Sequence, residues 1–212
     1  MNDIVYQYRQ LLAAVDAWFA RCQSLPGGGT GCRGCAECCR GLFDITLLDA
    51  TMLQQGFDCL PEETREQVLE RVRPILDRLQ ARFPGFTQPY LLTGLPVEQF
   101  PLSGEEETPC PLLDAAGRCL LYEHRPLTCR LYGLPHIDFS GEVFLDEWCR
   151  RSLGDCDPLA LHELRWEFRR AFAEEGRLLR ELAVRLGLPI VDDLDTFIPA
   201  ALLIDFDRLK AQ

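Results

Sequence analysis

Apolar residues recur every three or four positions in several stretches of the chain, which is the spacing of one face of an α-helix. The first stretch predicts a helix over residues 3–23, with its apolar face formed by Ile4, Tyr8, Leu11, Leu12, Val15, Trp18, Phe19 and Cys22. The same spacing predicts a longer helix that begins after Pro61 and is kinked or split at Pro74. It also predicts a long helix over residues 158–186 and a final helical piece over about 196–209.

Shorter apolar runs lie between these helices. Residues 42–45 predict a short strand, Thr46 predicts the N-cap of a short helix, and Gly56 predicts its end. Apolar runs on either side of a turn at residues 114–117 predict a β-hairpin, and the alternation at residues 137–145 predicts a second one. The pattern as a whole predicts a mostly α fold with short β-hairpins.

The length of the chain, 212 residues, suits a single domain. We expect an N-terminal helix at 1–27, a cysteine-rich metal-binding domain at 28–150 with a helical and loop insertion at 57–109, and C-terminal helices at 151–212 packed on it. The net charge of −11 argues against nonspecific binding to nucleic acids and against docking on anionic membranes. We expect the partner or substrate to be a protein, which the sequence does not identify.

The first residues lack a basic segment followed by an apolar core, and no apolar run approaches the length of a membrane helix. A cytoplasmic location is therefore expected. Thiols stay reduced in the cytoplasm, so the 11 cysteines favour metal ligation or catalysis over disulfide bonds.

Four of these cysteines form a C-x2-C-x2-C-C run after a glycine-rich segment, and they are Cys32, Cys35, Cys38 and Cys39. Spacings of three residues place sulfurs on one face of a helix or tight coil. Four more cysteines follow at 110, 119, 129 and 149. The predicted hairpin brings Cys110 and Cys119 together, and Pro126 opens a short helix that carries Cys129. The predicted metal ligands are Cys32, Cys35, Cys38, Cys39, Cys110, Cys119, Cys129 and Cys149.

Thiolates select zinc, copper(I) or iron–sulfur clusters over hard cations. Bacterial ferredoxins hold a 4Fe–4S cluster with three cysteines at C-x2-C-x2-C and a remote Cys-Pro, and Cys110-Pro111 could supply the latter here. The run in this chain differs in one respect, because it continues directly with another cysteine, Cys39. Eight thiolates also suit two four-cysteine zinc sites. The iron–sulfur cluster is favoured, and zinc is the alternative.

Two arginines, Arg125 and Arg130, bracket Cys129. Cations beside a multi-thiolate centre offset its negative charge and donate hydrogen bonds to sulfur. They could instead bind a carboxylate or phosphate. Among the histidines, a packing or hydrogen-bonding role is expected for His124 and His136, with an additional ligand role the alternative for His136.

The order of these motifs resembles the YkgJ-type cysteine-cluster family, a zinc- or iron-chelating domain. The resemblance covers about residues 28–150 and rests on the C-x2-C-x2-C-C run, Cys110-Pro111, the segment Tyr122-Glu123-x-Arg125-Pro126-x-x-Cys129-Arg130, and Cys149. A related cysteine domain occurs in a flagellin lysine methylase.

This resemblance implies a metal-binding protein with a redox, sensing or structural role. It also implies two alternatives, which are a methylase-like enzyme that uses S-adenosylmethionine on protein lysines and a zinc-stabilised interaction domain. No phosphate-binding loop or dinucleotide-binding motif is present in the sequence.

Overall fold

Helices make up most of the fold, as predicted. The computed structural model describes residues 2–24, 36–95, 108–149, 157–189 and 194–209. In chain order the elements are α1 (Asn2–Gln23), β1 (Asp44–Thr46), α2 (Leu47–Asp58), α3 (Glu62–Arg82), α4 (Leu127–Leu131), β2 (His136–Ile137), β3 (Val143–Leu145), α5 (Phe168–Leu186), β4 (Asp195–Phe197), α6 (Ile198–Ala201) and α7 (Phe206–Leu209). Short 3-10 turns lie at Tyr122–His124, Pro158–Ala160 and His162–Leu164.

Helix α1 supplies one wall of the core. Its predicted apolar face is buried at Ile4, Tyr8, Leu12, Val15 and Trp18, and the helix packs against α5 and α4. Burying a side chain of this size contributes about 1.5–3 kcal/mol of stability. The amphipathic pattern therefore determines which face of α1 meets the rest of the molecule.

Helix α2 begins as predicted and ends later than predicted. The hydroxyl of Thr46 accepts a hydrogen bond from the backbone N–H of Asp49 at 3.3 Å, which is the expected N-cap. Gly56 does not end the helix, because α2 continues to Asp58. A Cβ atom at Gly56 would lie only 2.5 Å from Cγ of His124. This glycine allows the close approach of His124, which the sequence pattern does not reveal.

Helix α3 runs from Glu62 to Arg82 with Pro74 inside it. Pro74 therefore does not split the helix, and the predicted kink stays a prediction. A proline in a helix interior costs about 3 kcal/mol. Apolar side chains are buried on both sides of it, with Val72 before and Ile75 and Leu76 after. Burial of these side chains outweighs the cost of the proline.

The predicted helix over residues 158–186 is wrong in its first third, since α5 begins only at Phe168. The carbonyl of Leu164 accepts a hydrogen bond from Nε1 of Trp18 at 2.9 Å. The N–H of Trp166 donates to the carbonyl of Ile137 at 3.0 Å, and the N–H of Phe139 donates to the carbonyl of Trp166 at 3.1 Å. These long-range bonds take the place of helical ones.

Two small antiparallel sheets complete the described structure. Strands β2 and β3 form the hairpin predicted at 137–145. Strands β1 and β4 pair with Ile45 opposite Thr196, which joins distant parts of the chain. The final helix predicted over 196–209 is therefore wrong in part, because β4 and the short helices α6 and α7 occupy this segment. None of the helices in the described ranges has the combined length and apolar character of a transmembrane segment.

Candidate metal centre

The two cysteine-rich segments are joined through their backbones. The N–H of Cys110 donates to the carbonyl of Cys39 at 2.9 Å, and the N–H of Gly41 donates to the carbonyl of Thr108 at 2.8 Å. Arg40 and Pro109 form the antiparallel bridge between these two bonds. The end of the C-x2-C-x2-C-C run therefore lies directly against the start of the second cysteine group.

A tight turn brings Cys110 and Cys119 into the same region. The Asp114 carboxylate accepts hydrogen bonds from the backbone N–H groups of Ala116 and Arg118, both at 2.8 Å. Gly117 has a φ of 72°, a conformation that favours glycine. Only one antiparallel bridge, Leu113 with Cys119, lies outside the turn, so the predicted hairpin is a turn with a single bridge and no extended strands.

Helix α4 presents Cys129 to this region. Its N-terminus is held by Asp49 of α2, whose Oδ1 accepts from the backbone N–H of Leu127 at 2.9 Å and from the hydroxyl of Tyr8 at 2.7 Å. Asp49 is buried. A carboxylate at a helix N-terminus satisfies an unpaired N–H and interacts favourably with the helix dipole. The core of the protein therefore determines where Cys129 lies.

Five of the eight predicted ligands line one cavity of about 490 Å³, and they are Cys38, Cys39, Cys110, Cys119 and Cys129. The walls between them are largely apolar and include Phe19, Phe43, Leu53, Leu112 and Ile198. The cavity also contacts Tyr122 and Arg125. The structure therefore brings thiols from three chain segments to the wall of one cavity.

The other three predicted ligands lie elsewhere. Cys32 and Cys35 fall outside the described residues. Cys149 is half-buried, donates its backbone N–H to the carbonyl of Gly133 at 3.1 Å, and is not among the residues that line the cavity. Within the described ranges, no three histidine, cysteine or carboxylate side chains converge as a complete ion site.

Four of the thiols that line the cavity have raised pKa values. Burial raises the pKa of Cys110 to about 11 and also raises the pKa values of Cys119 and Cys129. The hydrogen bond with the Cys39 thiol, followed by burial, raises the pKa of Cys38. These groups are neutral thiols at neutral pH in the metal-free fold. Metal binding would therefore release protons and become stronger as the pH rises.

The two predicted arginines lie in different environments. Arg125 lines the cavity, and its Nε is buried without a hydrogen-bond acceptor among the described residues. Arg130 does not line the cavity. Its guanidinium contacts the Asp16 carboxylate and donates to the carbonyls of Arg125 at 2.9 Å and Glu123 at 2.7 Å. Arg130 thus holds the backbone that precedes α4.

The residues present fit a thiolate-ligated metal centre. Sulfur is the ligand that zinc and iron–sulfur clusters share. A buried N–H that has no acceptor costs about 1–3 kcal/mol, and a negatively charged centre beside Arg125 would supply the acceptor. Cysteine ligands from the cavity wall, with Arg125 beside them, are therefore suited to hold either group.

Two further cysteines and two of the histidines among the described residues lie outside the cysteine cavity. Cys22 is buried in the apolar face of α1, and Cys59 is exposed. His124 packs against Gly56. His136 stacks on Phe168 at 5.1 Å between ring centroids, and its ring Nε2 lies 3.3 Å from the carbonyl of Leu131.

Sequence reasoning missed two residues that support the site. Asp16 contacts both arginines, and Asp49 holds α4. The capping position of Asp49 was visible in the sequence, but its contact with Leu127 depends on tertiary packing.

A family model described as CxxCxxCC, putative zinc- or iron-chelating domain, matches residues 31–150. This match confirms the predicted family, and it covers more than half of the chain. Comparison with curated proteins and with solved structures found no match. The predicted methylase-like activity stays a prediction.

Proposed function

Because the chain belongs to the CxxCxxCC family of zinc- or iron-chelating domains, we propose that its cysteine cavity holds an iron–sulfur cluster. Cys38, Cys110, Cys119 and Cys129 are the proposed ligands among the described residues, with Cys39 beside them. The remaining motif cysteines, Cys32 and Cys35, precede Cys38 closely in the sequence and are proposed to supply further thiols beside this set of four ligands.

The observation that carries this proposal is the size of the cavity together with its sulfur lining. A single zinc ion draws four sulfurs to about 2.3 Å and leaves no room between them. A cluster of several irons and sulfides occupies more space. Five cysteines line this cavity of about 490 Å³, which is more than one zinc ion takes and fewer than the eight that two four-cysteine zinc sites need, and this supports a cluster.

We propose a structural role for the cluster in the first place. Its ligands come from the 36–41 segment, the 110–119 turn and α4, which are otherwise joined by few backbone hydrogen bonds. When ligands from separate segments share one centre, the free energy of metal binding becomes free energy of folding. A cluster in this position would also respond to oxidation, which is compatible with a redox or sensing role.

The test is analysis of protein purified without oxygen. We expect iron and acid-labile sulfide in stoichiometric amounts, with visible absorbance that disappears on exposure to air or a chelator. A colourless protein that carries only zinc would contradict the cluster and support the zinc-stabilised alternative. A protein that binds neither metal, even after reconstitution, would contradict both.

A further inference from the structure

Arg125 differs from the other cations of the site in having an N–H group directed to no described acceptor. Its side chain is 17% exposed, and its Nε is fully buried. Arg118 also lines the cavity, but its side chain is 71% exposed and pairs with Asp114 at 2.9 Å. Arg130 has acceptors on Asp16 and on two carbonyls.

The position of the Arg125 guanidinium is determined from two sides. Its Cζ lies 3.7 Å from the centroid of the Tyr122 ring, a cation–π contact. Its terminal nitrogen lies 3.5 Å from the carboxylate of Asp16. The same Asp16 carboxylate contacts Arg130. One carboxylate thus holds two guanidinium groups, and of these two it is the Arg125 guanidinium that lines the cavity.

Arg125 lines the same cavity as Cys38, Cys119 and Cys129. These three cysteines come from three different segments of the chain. The guanidinium of Arg125 therefore shares one cavity with thiols from all three segments.

We propose that Arg125 is a positioning residue that donates a hydrogen bond from Nε to a ligand sulfur and so stabilises the negatively charged centre. This inference rests on the proposed metal centre but not on the identity of the metal. A four-thiolate zinc site and an oxidised iron–sulfur cluster with four thiolates are both net anions. Hydrogen bonds from outside the ligand set change metal affinity about 10–100-fold.

The test compares Arg125→Gln, Arg125→Lys and the control Arg170→Gln in the full chain. Arg170 is 83% exposed, pairs with Glu167 at 3.0 Å and does not line the cavity. Affinity for Zn²⁺ is measured by competition with a chelator, and the thiolate-to-metal charge-transfer band is recorded with Co²⁺. We expect Arg125→Gln to bind Zn²⁺ about 10–100-fold more weakly than the wild-type protein. Arg170→Gln should stay close to wild type, because an exposed ion pair away from the cavity contributes little.

The Co²⁺ spectrum separates a hydrogen bond to sulfur from a purely structural role. A hydrogen bond lowers the energy of the sulfur electrons, so its loss should move the charge-transfer band to longer wavelength in Arg125→Gln. Arg125→Lys keeps the charge without the planar guanidinium and should recover part of the affinity. It also serves as the second variant if Arg125→Gln does not fold.

The outcomes distinguish this inference from the proposed function. If wild-type protein binds neither Zn²⁺ nor Co²⁺ and also holds no iron after anaerobic reconstitution, the proposed metal centre is wrong. If wild type binds both ions, and Arg125→Gln and Arg170→Gln show the same affinity and band position as wild type, the metal centre stands and the role of Arg125 is overturned.

Discussion

The backbone N–H of Cys110 lies 2.9 Å from the carbonyl oxygen of Cys39. This hydrogen bond joins the two cysteine groups at the point where one ends and the other begins. The side chains of both residues line the same cavity. Main-chain hydrogen bonding therefore joins these two parts of the cysteine motif and does not require a metal.

The cysteine cavity predicts which thiols matter for metal content. Cys129→Ser should lose most of the bound metal, because a hydroxyl is a much poorer ligand than a thiolate for zinc or iron–sulfur clusters. Cys59→Ser is the matched control, since Cys59 is exposed and does not line the cavity. Metal per protein is measured by elemental analysis after anaerobic purification. Equal metal content in the two variants would show that Cys129 is not a ligand.

Local sequence signals predicted the parts of the site that depend on nearby residues. The cap at Thr46 and the turn at 114–117 need only short-range chemistry, so the pattern is enough to identify them. Motif spacing and turns also predicted the clustering of the cysteines, which the described residues show for Cys38, Cys39, Cys110, Cys119 and Cys129 but not for Cys149.

Long-range contacts account for what the sequence did not predict. Strand β4 exists because Thr196 pairs with Ile45, and α5 starts late because Trp18 and Ile137 provide hydrogen bonds to the preceding segment. Glycine often ends a helix, but Gly56 is needed for a different reason, which is the close approach of the His124 side chain from a distant part of the chain. No local pattern contains these partners.

Two helical glycines should respond in opposite ways to alanine. Gly56→Ala should destabilise the protein by about 1–3 kcal/mol, because its new Cβ would collide with the His124 ring. Gly176→Ala in α5 should stabilise it by about 0.5–1 kcal/mol, since that Cβ would meet only the mobile end of Arg180 at 3.4 Å. Urea unfolding of both variants measures the difference. Stabilisation of both would mean that His124 moves aside without cost.

Two aspartates of α1 form ion pairs with arginines in different surroundings. Asp16→Asn should destabilise the protein by about 1–3 kcal/mol, because Arg130 is 4% exposed and would lose a charged acceptor. Asp3→Asn is the control. Asp3 pairs with Arg185 at the surface, 58% and 35% exposed, and its loss should have little measurable effect. Thermal unfolding compares the two, and equal shifts would mean that the buried arginine is satisfied by its carbonyl partners alone.

A buried group of acids predicts how stability depends on pH. The Tyr8 hydroxyl contacts both Asp49 at 2.7 Å and Glu175 at 3.4 Å, and Asp195 and His136 line the same small cavity. Burial, with the negative charge of Asp49 next in size, raises the pKa of Glu175 to about 8. Burial also raises the pKa of Asp49 to about 6. Both carboxyls thus hold protons more tightly when folded.

The raised pKa of Glu175 makes the folded protein less stable as the pH rises. In the folded state Glu175 keeps its proton at pH values where the unfolded chain has released it. The free energy of unfolding should therefore fall as the pH rises from about 4.5 to about 8. Glu175→Gln removes this loss. We expect the free energy of unfolding of the variant, relative to wild type, to rise by a few kcal/mol from about pH 5 to about pH 8.5. Each pKa unit of difference between the folded and unfolded states corresponds to about 1.4 kcal/mol.

Urea unfolding under reducing conditions at both pH values measures this gain. Glu163→Gln, at an exposed position in the 3-10 turn before α5, is the control and should show the same pH dependence as wild type. The comparison with wild type cancels the ionisation of the thiols, which all three proteins share. A constant difference between Glu175→Gln and wild type at the two pH values would show that Glu175 is already ionised in the folded protein, with its charge stabilised by the Tyr8 hydroxyl.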